Sequence, residues 1–287
     1  MENPFKLCIP CFWQDKSCDI KKAQKGAADM KKPIFIVAIL LAIGPFIISA
    51  NAGSSYDIYK ATLIEPNEKT PNISTDELQR ILEEKSATVF DARSPKEFAI
   101  DHIPGAVNVR GKPEGPKAGA GYVSDIDSIG RHVGYDKAAP IVVYCSGTTW
   151  GKSRRLAAEL LAEGYKNVKR YQLGIPVWRA LDGVTEVELE GIAYAVERGS
   201  ILIDVRDSEE FMASSIPGAR NLPLGDVKEA NKEKDGRLPV EDHNARIIVF
   251  GRDGEQARAV CEALTKLAFH NTSFYGGTFE TLSAEFK

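Results

Sequence analysis

Ala87-Thr88-Val89-Phe90-Asp91-Ala92-Arg93-Ser94-Pro95-Lys96-Glu97-Phe98 is the stretch from which the architecture of this 287-residue chain can be read. Its first four residues read as a short buried strand, which runs into a charged Asp-x-Arg motif. His102-Ile103-Pro104-Gly105-Ala106 then reads as a turn. Upstream, Ser74-x-x-Glu77 is a capping box ahead of Leu78, Ile81 and Leu82, apolar residues at helical spacing. The same order returns downstream. Thr185-x-x-Glu188 reads as the cap of a second helix carrying Leu189, Ile192, Ala193 and Val196. Ile201-Leu202-Ile203 reads as a strand entering Asp204-Val205-Arg206-Asp207-Ser208-Glu209-Glu210-Phe211, and Ile216-Pro217-Gly218-Ala219 is the turn. The pairs Asp91/Asp204, Arg93/Arg206, Glu97/Glu210, Phe98/Phe211 and Pro104/Pro217 share one offset of 113. A constant offset over separated positions marks duplication, so the sequence predicts two copies of one α/β domain.

Further along the first copy, Ile141-Val142-Val143-Tyr144 is an apolar, β-branched run that delivers Cys145 to a loop of small and hydroxylated residues. The loop reads Ser146-Gly147-Thr148-Thr149-Trp150-Gly151-Lys152-Ser153, and the periodic segment 154–163 reads as a helix with Gly164 as its stop. Strand, cysteine, loop and helix set a thiol beside backbone N–H groups and the positive end of a helix, a setting that stabilises an anion on sulfur. A cysteine at a strand end also serves more simply as a small buried hydrophobe. The second copy has a matching strand, Arg246-Ile247-Ile248-Val249-Phe250, and places Gly251 where the first has Cys145. The fold therefore does not demand the thiol.

Composition narrows the function classes. Hydrophobic content of 43% and charged content of 27% are those of a globular protein. A net charge of −3, with no basic patch interleaved with aromatics, argues against nucleic acid as a partner. Of five cysteines, Cys8, Cys11 and Cys18 precede the duplicated region. They lack a fourth ligand and a strand–helix context, which argues against a metal or redox site, and no metal or cofactor is expected. Cys261 falls on the apolar face of a helical segment and reads as packing. A disulfide joining it to Cys145 would have to link the two copies.

The amino-terminal region reads as a targeting signal. Lys31-Lys32, the apolar run 33–49 and Ala50-Asn51-Ala52 are the three parts of a secretory signal peptide, with cleavage expected after Ala52. An uncleaved membrane anchor is the competing reading, and Gly44-Pro45 interrupts the run it would need. Residue 30 is itself a methionine, so translation is expected to start there, leaving residues 1–29 as an upstream misannotation or a cytoplasmic tail. Residues 30–52 are then the signal, 53–71 a linker or arm, 72–182 the copy with Cys145, and 184–287 the copy without it. A periplasmic or secreted address follows, with membrane contact only if the signal stays attached.

The Asp-x-Arg…Glu-Phe…His-Ile-Pro-Gly-Ala series of residues 91–106, with a strand-borne Cys145 downstream and Gly174-Ile175-Pro176-Val177-Trp178 later, resembles a rhodanese domain. The likeness spans about residues 72–182 and, more weakly, 184–283. It implies that each domain is a mainly parallel five-stranded sheet flanked by helices, and that a cysteine cycles through a persulfide. The donor would be a small sulfur-containing anion such as thiosulfate, and the acceptor a thiol or a cyanide-like nucleophile. Six-residue loops of that family commonly read Cys-x-x-Gly-x-Arg; the loop here is roughly two residues longer and has no arginine.

Within that reading Cys145 is the nucleophile. Backbone N–H groups of residues 146–151 would cradle the anion, with Gly147 and Gly151 allowing close approach. Lys152, the cation of the loop, would attract an anionic donor or stand solvated in the first helical turn. Ser146, Thr148 and Thr149 would offer hydroxyls, and Ser153 would cap the helix. Trp150 would wall the pocket, act as a lid or simply pack. Asp91 and Arg93 sit at the strand edge where ligands bind in open α/β sheets, which makes Arg93 a candidate substrate contact. Their survival as Asp204 and Arg206 in the copy without a cysteine argues for a structural ion pair. The alternatives to an exported sulfurtransferase are a non-enzymatic binding or sulfur-carrier protein and an oxyanion phosphatase or arsenate reductase. The last would need an arginine at Gly151, the sixth position after Cys145.

Overall fold

Ser74 caps the first helix as expected, its hydroxyl accepting from the Glu77 N–H at 3.2 Å, while the Glu77 carboxylate meets Lys169 Nζ at 2.7 Å instead of closing the capping box; helix α1 (Thr75–Glu84) follows with Leu78 and Ile81 buried. The computed structural model describes residues 57–109, 112–113, 122–123 and 125–286. The expected extension and signal segment, residues 1–52, lie outside the described residues. After α1 come strand β1 (Thr88–Asp91), helix α2 (Pro95–Ile100) and strand β2 (Val107–Asn108). A small antiparallel pair, β3 (Lys112–Pro113) and β4 (Tyr122–Val123), leads to helix α3 (Ile126–His132). Strand β5 (Ile141–Tyr144), helix α4 (Lys152–Ala162), strand β6 (Val168–Tyr171) and helix α5 (Gly174–Ala180) complete the copy.

The second copy repeats the order. It runs β7 (Thr185–Val187), α6 (Leu189–Glu197), β8 (Ile201–Asp204), α7 (Ser208–Ala213), β9 (Arg220–Asn221) and α8 (Val227–Glu233). It then runs β10 (Ile247–Phe250), α9 (Gly254–Thr265), β11 (Thr272–Tyr275) and α10 (Phe279–Glu285). Both main sheets are parallel, in the orders β2-β1-β5-β6 and β7-β11-β10-β8-β9. The expected α/β class with helix-flanked parallel sheets is thus present twice. Five strands are found in the second sheet and four in the first. Where the first lacks its fifth strand, Asn72 makes a single parallel bridge to Arg170: the Arg170 N–H donates to Pro71 O and the Ile73 N–H to Arg170 O, both at 2.9 Å. Pro71 has no N–H to extend a ladder and Ser74 already caps a helix, so the edge strand shrinks to a stub.

Period-2 alternation sorts the first sheet into two cores. Val89, Val142 and Tyr144 pack with Leu78, Ile81 and Trp178 on one face, and Phe90, Ile141 and Val143 with Ile129, Leu156 and Leu160 on the other. Each such buried aliphatic or aromatic side chain contributes about 1.5–3 kcal/mol. The second sheet is covered in the same way on both faces. Cys261 lies in its core, where burial pushes the thiol up to about 12, and Cys145 and Cys261 are both free thiols.

One element departs from the sequence reading. Thr185 does not cap α6; it opens strand β7, where its hydroxyl donates to Thr272 O at 3.1 Å, and Glu188 holds the cap position. Strand pairing on the sheet edge satisfies Thr185 more fully than a helix N-cap would.

The copies meet along α2 and α6. A Cβ on Gly191 would overlap Ala99 O, so only glycine permits this approach. His102 and Glu186 exchange backbone hydrogen bonds of 2.9 and 2.8 Å across the same seam. Asp101 joins Arg93 of the first motif to Arg179, which in turn donates to His270 O at 3.0 Å. Among the described residues no helix is long and apolar enough to cross a membrane.

Candidate active site

Strand β5 is buried along its whole length and ends by placing Cys145 at 0% exposure. The turn after it depends on two glycines. Gly147 adopts φ +117°, and Gly174, at φ +67°, lies so close that a Cβ there would overlap Cys145 O and Gly147 N. The Ile175 N–H donates to Cys145 O at 3.3 Å, so the start of α5 holds the floor of the loop. Helix α4 begins at Lys152 beside the thiol, with Gly151 at its N-cap.

The thiol has three described neighbours. Cys145 Sγ lies 3.3 Å from Trp150 O, 3.7 Å from Gly147 O and 3.1 Å from Ser153 Oγ. The expected cradle of N–H groups is therefore not what surrounds the sulfur among the described contacts; the Trp150 N–H, for instance, is used by Gly147 O at 3.2 Å. Ser153 is no cap either. It is fully buried inside the first turn of α4, and its hydroxyl accepts from Arg170 Nε at 3.1 Å.

Arg170 is the residue that sequence reading missed. It sits on β6 with 1% exposure, and its outer nitrogens meet two carboxylates of the segment before α1. Arg170 Nη1 donates to Glu65 Oε2 at 2.9 Å and Glu68 Oε1 at 2.7 Å, and Nη2 to Glu65 Oε1 at 3.2 Å. Arg154, exposed on α4, also pairs with Glu65. Gln172 Nε2 donates to Leu63 O at 2.9 Å. Residues 63–72, read as a linker or arm, are thus an arm bound to the edge of the first sheet. The available signal was the charge at position 170, on a strand whose neighbouring Val168 faces the core.

Glu97 braces the outer side of the loop. Its carboxylate receives the Ser94 N–H and hydroxyl at 3.0 and 2.7 Å, the Ser146 hydroxyl at 3.2 Å and Lys152 Nζ at 3.2 Å. Partial burial opposes its charge, yet the Ser94 hydrogen bonds and Lys152 outweigh that and hold the carboxyl at about 2. Lys152 is accordingly part of an ion pair.

The remaining candidates fall into two groups. Thr148, Thr149, Trp150 and Gly151 are exposed; Trp150 is 54% exposed, so its ring does not pack but stands as an open aromatic, and only its carbonyl meets the thiol among the described contacts. Arg93 and Asp91 are buried and consumed by one another. Arg93 Nη2 meets Asp91 Oδ2 at 2.7 Å, while Nη1 holds Asp101 at 2.8 Å. Arg206 and Asp204 repeat the pair at 2.7 Å in the second copy. Arg93 therefore holds the turn between β1 and β2 and has no guanidinium nitrogen left for a substrate, which corrects its assignment as a substrate contact. Among the described residues no cluster of His, Cys, Asp and Glu could hold a metal ion.

The rhodanese-like domain family matches the chain twice, over residues 74–181 and 191–285. The chain belongs to the rhodanese family. Its two rhodanese-like domains correspond to the duplication read from the sequence. One relative is a mitochondrial protein of Schizosaccharomyces pombe, provisionally named a thiosulfate sulfurtransferase. It is 31% identical over 99 residues, which cover 32% of this chain and 68% of that protein. Among solved structures, a thiosulfate sulfurtransferase from Pseudomonas aeruginosa is similar at 22% identity and TM-score 0.30, covering 76% of this rhodanese and 44% of that chain. A 3-mercaptopyruvate sulfotransferase from Escherichia coli is similar at 20% identity and TM-score 0.34, covering 73% of this chain and 98% of that one. This chain thus spans less than half the length of the Pseudomonas protein.

Proposed function

We propose that this rhodanese is a sulfurtransferase whose Cys145 carries sulfane sulfur as a persulfide. The supporting observation is internal to the chain: two domains share strands, turns and the buried Asp–Arg pair, and only the first puts a thiol at the strand end, with a buried hydroxyl 3.1 Å away. The chemistry runs in two displacements. The Cys145 thiolate attacks the outer sulfur of thiosulfate; the S–S bond breaks, and sulfite leaves with its electron pair, giving Cys–S–S⁻. A nucleophile such as cyanide or a thiolate then attacks the outer sulfur and departs as thiocyanate or a new persulfide, returning the thiolate. Each step conserves charge and needs no outside oxidant or reductant.

Access runs through the exposed residues 148–151, since the sulfur itself is buried. The start of α4 lies beside the sulfur and favours negative charge there. Lys152, neutralised by Glu97, steers the donor weakly. The same burial of the thiol favours a second reading, a carrier that holds sulfur without rapid turnover. Residues 30–52 are proposed as the export signal, giving a periplasmic or secreted protein. N-terminal sequencing of the protein from fractionated cells checks this, with Gly53 as the expected first residue.

Incubation with thiosulfate followed by mass spectrometry is the test. Cys145 gains about 32 Da, and added cyanide removes it as thiocyanate over many turnovers. A single stoichiometric release supports the carrier. No mass gain on Cys145 overturns both.

A further inference from the structure

The thiol, its hydroxyl partner and the buried guanidinium have counterparts in the second domain, and all three are replaced there together. Cys145 corresponds to Gly251 at the strand end. Arg170 lies opposite Val143 on β5 and Phe274 opposite Val249 on β10, so these two share a position. The buried face of α4 reads Ser153, Leu156, Ala157, Leu160 and that of α9 Ala257, Val260, Cys261, Leu264, which puts Ala257 at the place of Ser153. The fold therefore accepts alanine and phenylalanine where the first domain keeps a hydroxyl and a charge. A buried arginine is costly to desolvate, and an apolar residue in its place is often neutral or stabilising. Arg170 and Ser153 follow the thiol, not the architecture.

We infer that Arg170, fixed by Glu65 and Glu68 of the arm, acts through Ser153 as a positioning relay that turns the Ser153 hydroxyl proton onto Cys145 sulfur. This rests on Cys145 being the reactive sulfur. Guanidinium nitrogens only donate, so at 3.1 Å the hydrogen bond must run from Arg170 Nε to Ser153 Oγ. That leaves the hydroxyl proton free to point elsewhere, and Sγ stands 3.1 Å away. The other described neighbours of Sγ are the carbonyls of Gly147 and Trp150, which accept a thiol proton and offer nothing to an anion. Once the thiol loses its proton, or carries a persulfide, Ser153 is the donor among those contacts. Donation from a cation into the same oxygen strengthens the hydrogen bond it gives.

The arm makes this arrangement possible. A guanidinium at 1% exposure needs partners for its outer nitrogens, and Glu65 and Glu68 supply them while Nε stays aimed at Ser153. The segment before the first domain is thereby part of the active site.

The test is the pH dependence of Cys145 alkylation by iodoacetamide, followed by mass spectrometry on the full chain. It needs no sulfur donor, so it is independent of whether thiocyanate is made. Ser153→Ala is expected to fold, because Ala257 occupies that position in the second domain. It should move the midpoint of the rate profile up by about one pH unit, the size of one hydrogen bond to a charged group. Arg170→Lys keeps the charge and loses the fork, and should move the midpoint less in the same direction. The double variant should move it no further than Ser153→Ala alone, because the arginine acts through the serine. The other charges around the site stay unchanged in these variants: Lys152 and Arg154 on α4, Glu97 on α2, Asp91 and Arg93 at the end of β1, and Glu65 and Glu68 on the arm. A Ser153→Ala profile that coincides with wild type overturns the relay, and so does additivity in the double variant. A shifted profile with no thiocyanate formed leaves the relay standing and removes the sulfurtransferase reading.

Discussion

Arg170 and Phe274 stand at the same register in the two sheets, one opposite Val143 and the other opposite Val249, and both are buried. One fold thus supports a charge and a phenyl ring at the same place, and the difference lies in what the preceding segment brings. Glu65 and Glu68 approach Arg170 from residues 63–72.

Replacing Arg170 with phenylalanine, the residue the second domain uses, should therefore destabilise the protein. Two carboxylates of 12% and 10% side-chain exposure lose their buried cation, Glu65 keeping only the exposed Arg154 and Glu68 only the Asn72 amide, a loss of up to about 3–5 kcal/mol. Adding Glu65→Gln and Glu68→Gln should restore most of it. Urea unfolding of the single and triple variants measures this; equal stability of the two would show that the carboxylates are not what makes the charge necessary.

Gly174→Ala should disable the site from outside it. The position has φ +67°, and a methyl group would overlap Cys145 O and Gly147 N. Backbone strain of this kind costs about 1–3 kcal/mol, and relief requires the loop floor to move. The expected result is a folded protein with a lower melting temperature and at least a tenfold loss in Cys145 alkylation or sulfur loading. Wild-type rates in that variant would mean that the floor does not position the thiol.

The duplicated α/β architecture was legible because Asp91, Arg93, Glu97 and Pro104 and their partners keep one offset, and because buried parallel strands such as residues 141–144 read as apolar runs. Cys145 was legible from the glycine opposite it. Three features were not. Thr185 matches a capping box, but a neighbouring strand claims its hydroxyl, a tertiary choice that local spacing does not encode. Ser153 resembles a cap because it opens a helix, and only the packing of α4 on β6 turns it inward. Arg170 looked like an ordinary strand charge because its carboxylate partners lie about a hundred residues away and its link to Cys145 passes through Ser153. Lys152 is the cation of the loop by sequence, yet Glu97 on another helix pairs with it.

Acid should loosen the seam between the domains. His102 stacks on Phe98 at 3.8 Å, its Nδ1 lies 3.0 Å from Phe98 O, and burial lowers its proton affinity to about 4. The unfolded chain, with an ordinary histidine near 6.5, then binds the proton more readily than the native one. Stability is full above that value and falls as pH drops from 6.5 towards 4, by up to about 3 kcal/mol. Glu186 and Glu188, 3.7 and 3.8 Å from Nε2, face the ring from the second domain and reduce the loss. His102→Gln should flatten the melting-temperature curve across this window. An unchanged acid slope in that variant would place the titration elsewhere.

Trp150 offers the last test, because the same residue touches the thiol through its backbone and solvent through its ring. Its carbonyl lies 3.3 Å from Sγ, while the indole is 54% exposed with Lys152 Nζ 5.8 Å from the ring. Trp150→Ala keeps the carbonyl and removes the ring. A side chain this exposed contributes little to folding, so stability should change by no more than about 0.5 kcal/mol. If the ring screens an approach through the exposed residues 148–151, alkylation of Cys145 should rise several-fold while the pH midpoint stays put. That combination separates access from electrostatics: Ser153→Ala moves the midpoint, and Trp150→Ala moves the amplitude. A Trp150→Ala variant that alkylates at the wild-type rate would mean that the path to sulfur does not pass beneath the indole.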